Sequence, residues 1–211
     1  MQWKVDIICL PSGFNPDPSP HRIALYNAIV ATTGDKPDHR TIIFAAASNL
    51  GLTSSVTYPG CLSQSSKVLC LFSTAEGDPD RTGFNPAAVP NTYNFALLGE
   101  GIVLGPGEQP IRGTSFSTII AGAIAAHIID FSNHSDTKDH IRDVWYLREV
   151  AGMTSVFASM KVVKKSGYHV LDPWILMRHY GPKTLSKWEL RRKICENISE
   201  ALGNMYSRRY E

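Results

Sequence analysis

An α/β domain with a mostly parallel sheet is predicted by three features of this 211-residue chain: short apolar runs of strand length, helix-like segments alternating with them, and turn-rich punctuation between the two. The first run, Val5 to Leu10, stops at Pro11-Ser12-Gly13, which cannot continue a regular strand. After a proline-rich loop from Asn15 to Pro20, residues His21 to Thr32 place Ile23, Tyr26, Ala28 and Ile29 at the spacing of a helix with one buried face. Thr41 to Ala47 is apolar throughout, as expected of a strand buried on both faces. Val68 to Phe72 forms the third strand, Asp78 to Asn94 a loop, and Tyr93 to Leu98 a further strand. From Thr114 the chain reads as a buried helix, because Ile119 to Ala126 is apolar on every side. Two short helices are expected over Ile141 to Val150 and Met153 to Val162. Ser186-Lys187-Trp188-Glu189 has capping-box form and opens an amphipathic helix.

Composition excludes several function classes. A formal charge of +2, from 21 bases against 19 acids, gives no dense basic patch for nucleic acid or an anionic membrane. Only Lys183 to Arg209 is locally basic. The four cysteines, Cys9, Cys61, Cys70 and Cys195, have no zinc or dithiol spacing and read as thiols. Met1 to Asp6 lacks the apolar core of a signal peptide, and the helix after Thr114 reads as too short for a bilayer. A cytoplasmic setting without membrane or nucleic-acid partners is the expectation.

Two segments could carry chemistry. Ile111-Arg112-Gly113-Thr114-Ser115-Phe116 is a glycine-led loop opening into the buried helix, and a serine at a helix N-terminus sits among unpaired N–H donors that stabilise a nearby oxyanion. A plain helix cap by Thr114 or Ser115 explains the same segment. Thr41 to Gly51 is a buried strand ending in small residues and Asn49, whose amide could donate to an oxyanion at a strand end, where open α/β sheets place ligands. A left-handed turn at Asn49 is the alternative.

Together with their neighbours these segments resemble the subtilisin-like serine proteases, or subtilases. Gly113-Thr114-Ser115 and the small-residue run after it match the family's nucleophile motif, and Ala46-Ala47-Ser48-Asn49 matches its oxyanion-asparagine motif. Val5 to Gly13 is similar to the substrate-binding strand, and Tyr58-Pro59-Gly60 to the Tyr-Pro segment that follows the oxyanion loop. Four segments occur in the family's order. Phe116, the end of the run at Asp130-Phe131, and Gly152 to Phe157 look most like fungal intracellular multidomain proteins of the family.

The resemblance implies a serine endopeptidase with Ser115 as nucleophile and Asn49 as oxyanion donor. Leu10, Pro11, Ser12 and Gly13 would carry the peptide substrate, with Ala46, Ala47 and Ser48 walling the pocket beside it. No cofactor or metal is implied, and calcium is left open because loops that bind it can lie upstream. In the family the triad runs Asp, His, Ser, and both earlier members precede the substrate-binding strand, which here begins at Val5. The expected fold is therefore the C-terminal part of a subtilisin-like domain over 1–135, a helical completion over 136–182 and a basic amphipathic helix over 183–211. Its partner is the upstream half of the same domain, and the isolated chain is expected to be inactive. Pro11 replaces a serine, Ser48 a glycine and Ile119 a proline of the family pattern, and the glycine of the helix is displaced by one position. These departures favour the rival reading, a non-catalytic interaction module. His21, His39, His127, His134, His140, His169 and His179 lack the family's histidine motif, so none is assigned as base.

Overall fold

The computed structural model describes residues 4–15, 20–33, 40–177 and 185–208, with side chains through 203. Its centre is a six-stranded sheet. Strands β1 (Ile7–Leu10), β2 (Ile42–Ala46), β3 (Leu69–Thr74) and β4 (Phe95–Leu98) run parallel in chain order. The short antiparallel pair β5 (Glu100–Ile102) and β6 (Ile111–Arg112) follows as a separate two-stranded sheet. Helices α1 (Pro20–Thr33), α2 (Thr114–Asn133), α3 (Val150–Ser159) and α4 (Lys187–Arg208) flank the main sheet. Strands β7 (Lys161–Lys165) and β8 (Tyr168–Leu171) form an antiparallel hairpin, and β8 joins β4 in parallel.

The apolar runs of β2 to β4 are continuous because both faces are covered. On one face Ile42, Phe44, Leu69, Leu71, Phe95 and Leu97 pack with α2 and α3, and Phe157 of α3 meets the rings of Phe44 and Phe95, each at 5.7 Å between centroids. On the other face Ile43, Ala45 and Val68 receive Ile29 of α1, while Cys70, Phe72 and Ala96 pack with Tyr168. Phe157→Ala would empty the junction between three rings, a truncation that costs about 3–5 kcal/mol in a close-packed core.

Helix α2 crosses β1 to β4 closely because Gly122 faces Cys9: a Cβ there would lie 2.2 Å from its sulfur. At 20 residues with a mean hydropathy of 1.4, α2 is long and apolar enough to cross a bilayer by length and composition, which corrects the expectation that it is too short. In this fold Ala121, Ala125, Ile128 and Ile129 bury it against the sheet.

Between residues 138 and 177 the chain combines short helices with a strand pair. Asp143 adopts a left-handed backbone, φ 56°, and in place of the helix expected over 141–150 there is only a 3₁₀ turn at Val144–Arg148, preceded by another at Lys138–His140. The second expected helix is α3, which ends at Ser159. The chain then turns back as the β7–β8 hairpin through Ser166 and Gly167, both at positive φ (51° and 88°), as a two-residue hairpin turn requires. The capping box of α4 is present, with Ser186 N–H donating to Glu189 Oε2 at 2.8 Å. Helix α4 packs on α3 with Cys195, Ile198, Ala201 and Leu202 buried.

Candidate active site

Gly113 sets the local geometry. It precedes α2 with φ 144° and ψ 153°, a conformation open to glycine, and a Cβ added there would lie only 3.1 Å from Asn49 Nδ2. The Thr114 N–H, one of the unpaired donors of the helix start, donates to Asn49 Oδ1 at 2.9 Å. The Thr114 hydroxyl lies 3.1 Å from the same oxygen and 3.3 Å from the Ser48 carbonyl. Asn49 thus caps α2 from 65 positions away in the chain. Neither Thr114 nor Ser115 caps it with its own side chain, because Gly113 is the N-cap residue.

This contact fixes which way the amide faces. The Thr114 N–H needs an acceptor, so Oδ1 points into the helix start and Nδ2 is left without a partner among the described residues. Asn49 itself is exposed and does not take a left-handed backbone; Gly51, two residues on, does so at φ 81°. Ser115 is half-buried in the first turn of α2, where its own N–H has no acceptor within the helix. Asn49 Nδ2 and the Ser115 N–H are thus two donors left unengaged near the start of a 20-residue helix, whose end-field is positive.

The Ser115 hydroxyl donates a short hydrogen bond to the carbonyl oxygen of Pro11. Pro11, Ser12 and Gly13 are exposed just past Leu10, the last residue of β1, and β1 lies at the edge of the six-stranded sheet. Gly13 lies against Thr57, since a Cβ there would be 2.1 Å from Thr57 Oγ1. Phe14 and Tyr58 then exchange backbone hydrogen bonds at 3.0 and 2.9 Å. The Leu10–Gly13 segment, the strand end at Ala46–Asn49 and Ser115 are thus brought to one end of the sheet.

Ala46 and Ala47 are buried beneath the 56–60 segment. The Ala47 carbonyl accepts from the Thr57 N–H and hydroxyl, each at 2.8 Å, and Gly60 approaches the Ala46 carbonyl so closely that a Cβ would be 2.7 Å from it. Ser48 turns its hydroxyl into its own loop, accepting from the Leu50 N–H at 3.3 Å, so the extra side chain is taken up locally.

No base lies within hydrogen-bond distance of Ser115 Oγ among the described residues; its partner is the Pro11 carbonyl. His21 is exposed on α1, His127 exposed on α2, and His134 and His140 exposed beyond it, while His39 and His179 lie outside the described residues. His169 is buried on β8, with Nδ1 accepting from the Asn94 N–H at 3.2 Å. Burial first, then Lys164 and Lys161, push its pKa below the ordinary value. Among the described residues no three His, Cys, Asp or Glu side chains group as metal ligands.

A cleft of about 910 Å³ lies elsewhere, between the 79–94 loop and the β7–β8 hairpin, and is not lined by Ser115, Asn49 or Leu10–Gly13. The hairpin that walls it carries one local sequence signal, the Ser166-Gly167 turn.

No family model matches the chain, and no curated protein does. Among solved structures it is similar to the patellamide maturation protease PatG, with a TM-score of 0.55 and 16% sequence identity. The likeness covers 81% of this chain and 51% of that one, so the chain spans about half the length of the structure it matches. At this identity the likeness shows the fold alone: a mixed, mostly parallel α/β sheet flanked by helices.

Proposed function

We propose that this chain supplies the nucleophile and oxyanion half of a serine endopeptidase. The observation that carries the reading is the division of labour at Asn49, whose Oδ1 holds the start of α2 while Nδ2 stays free beside the Ser115 loop. In the reaction Ser115 Oγ attacks the scissile carbonyl carbon, its proton passes to a base, and Asn49 Nδ2 with the Ser115 N–H holds the resulting oxyanion. The amine then leaves with a proton returned by the base, and water hydrolyses the acyl-enzyme by the same route. Substrate peptide lies along Leu10–Gly13, with Ala46, Ala47 and Ser48 beside it.

The base and its orienting carboxylate come from an upstream half of the same domain, the partner this reading requires. Free Cys9, Cys61, Cys70 and Cys195 suit a reducing, cytoplasmic setting. The finer likeness to fungal multidomain subtilases rests on Phe116 and on Gly152 to Phe157.

One observation favours a second reading, a non-catalytic relative retained for binding: the Ser115 proton is held by a backbone carbonyl, which cannot act as its base. The reading frame upstream of Met1 separates the two. Asp-Thr/Ser-Gly and His-Gly-Thr segments encoded there, and peptide hydrolysis by the extended chain that is abolished in Ser115→Ala, are the expected results. An extended chain that binds peptide without cleaving it would establish the second reading.

A further inference from the structure

Away from the candidate active site the described residues form a cleft of about 910 Å³, within the size range of small-molecule pockets. Two of its lining residues, Lys164 and His169, are directly opposed in the β7–β8 ladder, so their side chains leave the hairpin on the same face. His169 is 6% exposed, and the Asn94 N–H occupies its Nδ1, which leaves Nε2 as the nitrogen that carries the proton. Lys164 is exposed, and the ion pairs beside it are made by Lys165, to Asp78 at 2.6 Å and Asp80 at 3.5 Å, with none to Lys164 among the described residues. The acid that lines the cleft, Asp80, is already engaged, accepting from Ser166 Oγ at 2.8 Å and lying 3.5 Å from Lys165 Nζ. The rest of the wall is mixed: Leu52, Ala88, Val89 and Pro90 are apolar, and Tyr93 stands 5.2 Å from the His169 ring, centroid to centroid.

A neutral imidazole that can only donate, beside an uncompensated ammonium and an apolar wall, selects against cations and favours an acceptor with negative charge. We propose that this cleft binds a small carboxylate carrying an apolar or aromatic body, the carboxylate facing Lys164 and His169 and the body lying along Tyr93 and Val89. The site shares no lining residue with Ser115, Asn49 or Leu10–Gly13, so occupancy is independent of the chemistry at the serine.

The probe is phenylacetate, titrated into the isotope-labelled chain while backbone amide shifts are followed. Shifts should concentrate at Asn91–Asn94 and Gly167–His169, with a dissociation constant on the order of 1 mM for so small a ligand. Phenylacetamide, the uncharged isostere, should bind about tenfold more weakly, because it loses a charge-assisted hydrogen bond. Lys164→Gln, an exposed position that leaves the fold intact, should weaken phenylacetate about threefold, the worth of one partly screened charge. Ser115→Ala should bind phenylacetate like the wild type, which keeps this result separate from the fate of the peptidase reading. Equal binding of phenylacetate and phenylacetamide, an unchanged affinity in Lys164→Gln, or shifts confined to other parts of the chain would each overturn the proposal.

Discussion

Asn49 allows structure to be separated from the proposed chemistry, because its Oδ1 caps α2 while its Nδ2 is the proposed oxyanion donor. In Asn49→Ala the Thr114 N–H, on a residue 1% exposed, loses its acceptor. Leaving a buried donor unpaired costs about 1–3 kcal/mol, and loss of a helix N-cap falls in the same range at about 0.5–2 kcal/mol. In Asn49→Asp the acceptor survives, and at neutral pH its charge sits at the N-terminus of α2, where a carboxylate contributes about 0.3–1 kcal/mol of stability. Urea unfolding of the chain reads this directly. With a slope of about 2 kcal/mol/M, a loss near 2 kcal/mol lowers the midpoint by about 1 M for Asn49→Ala, while Asn49→Asp stays at or above wild type. In the extended, base-supplied protein the order changes: both variants lose the Nδ2 donor and should fall about 10²–10³-fold in kcat, with the aspartate no better because its charge repels the oxyanion. Equal destabilisation of the two variants would refute the capping role, and an active Asn49→Asp would refute the donor role.

Two further outcomes follow from the packing. Gly122→Ala adds a methyl group 2.2 Å from Cys9 Sγ and should cost about 1–3 kcal/mol, with Cys9→Ala recovering at least about 1 kcal/mol in a double-mutant cycle; a stabilising Gly122→Ala in the wild-type background would contradict the close approach of α2 to β1. Burial and the nearby Lys164 and Lys161 hold the folded pKa of His169 below its unfolded value of about 6.5, so the unfolded chain binds more protons as pH falls through that value. Its stabilising contribution is complete above about pH 6.5 and declines below it towards the lower folded pKa. His169→Gln should flatten that part of the stability–pH curve measured by urea unfolding, and an unchanged slope would place the pH dependence elsewhere.

Much of the architecture is legible in the sequence where burial imposes a pattern. The strands at Ile42–Ala46 and Leu69–Thr74 are apolar on both faces because helices cover one side and α1 with the 56–65 segment covers the other, and a continuous apolar run records that directly. The β7 strand left no such record: all of Lys161–Lys165 is exposed at the sheet edge, so neither alternation nor an apolar run marks it, and its lysines guard an open edge. Its turn was readable, since Ser166-Gly167 is a hairpin dipeptide. Gly113-Thr114-Ser115 and Asn49 stand out as chemistry-bearing motifs in the sequence, but the capping bond between Asn49 and Thr114 joins segments that no local spacing relates. The role of Pro11 was equally hidden, because it rests on a carbonyl, a group every residue has.

Site-specific labelling by a fluorophosphonate tests the central claim most directly, since that reagent reacts with a serine whose proton a neighbouring base removes. Mass spectrometry of tryptic peptides should find phosphonylated Ser115 in the protein extended upstream to include its acid and base, none in that protein carrying Ser115→Ala, and none in the 211-residue chain alone, where Ser115 Oγ is bonded only to the Pro11 carbonyl among the described residues. Stoichiometric phosphonylation of Ser115 in the 211-residue chain would contradict the account, because a base would then lie within this chain, and an extended protein that leaves Ser115 unlabelled would contradict it in the other direction.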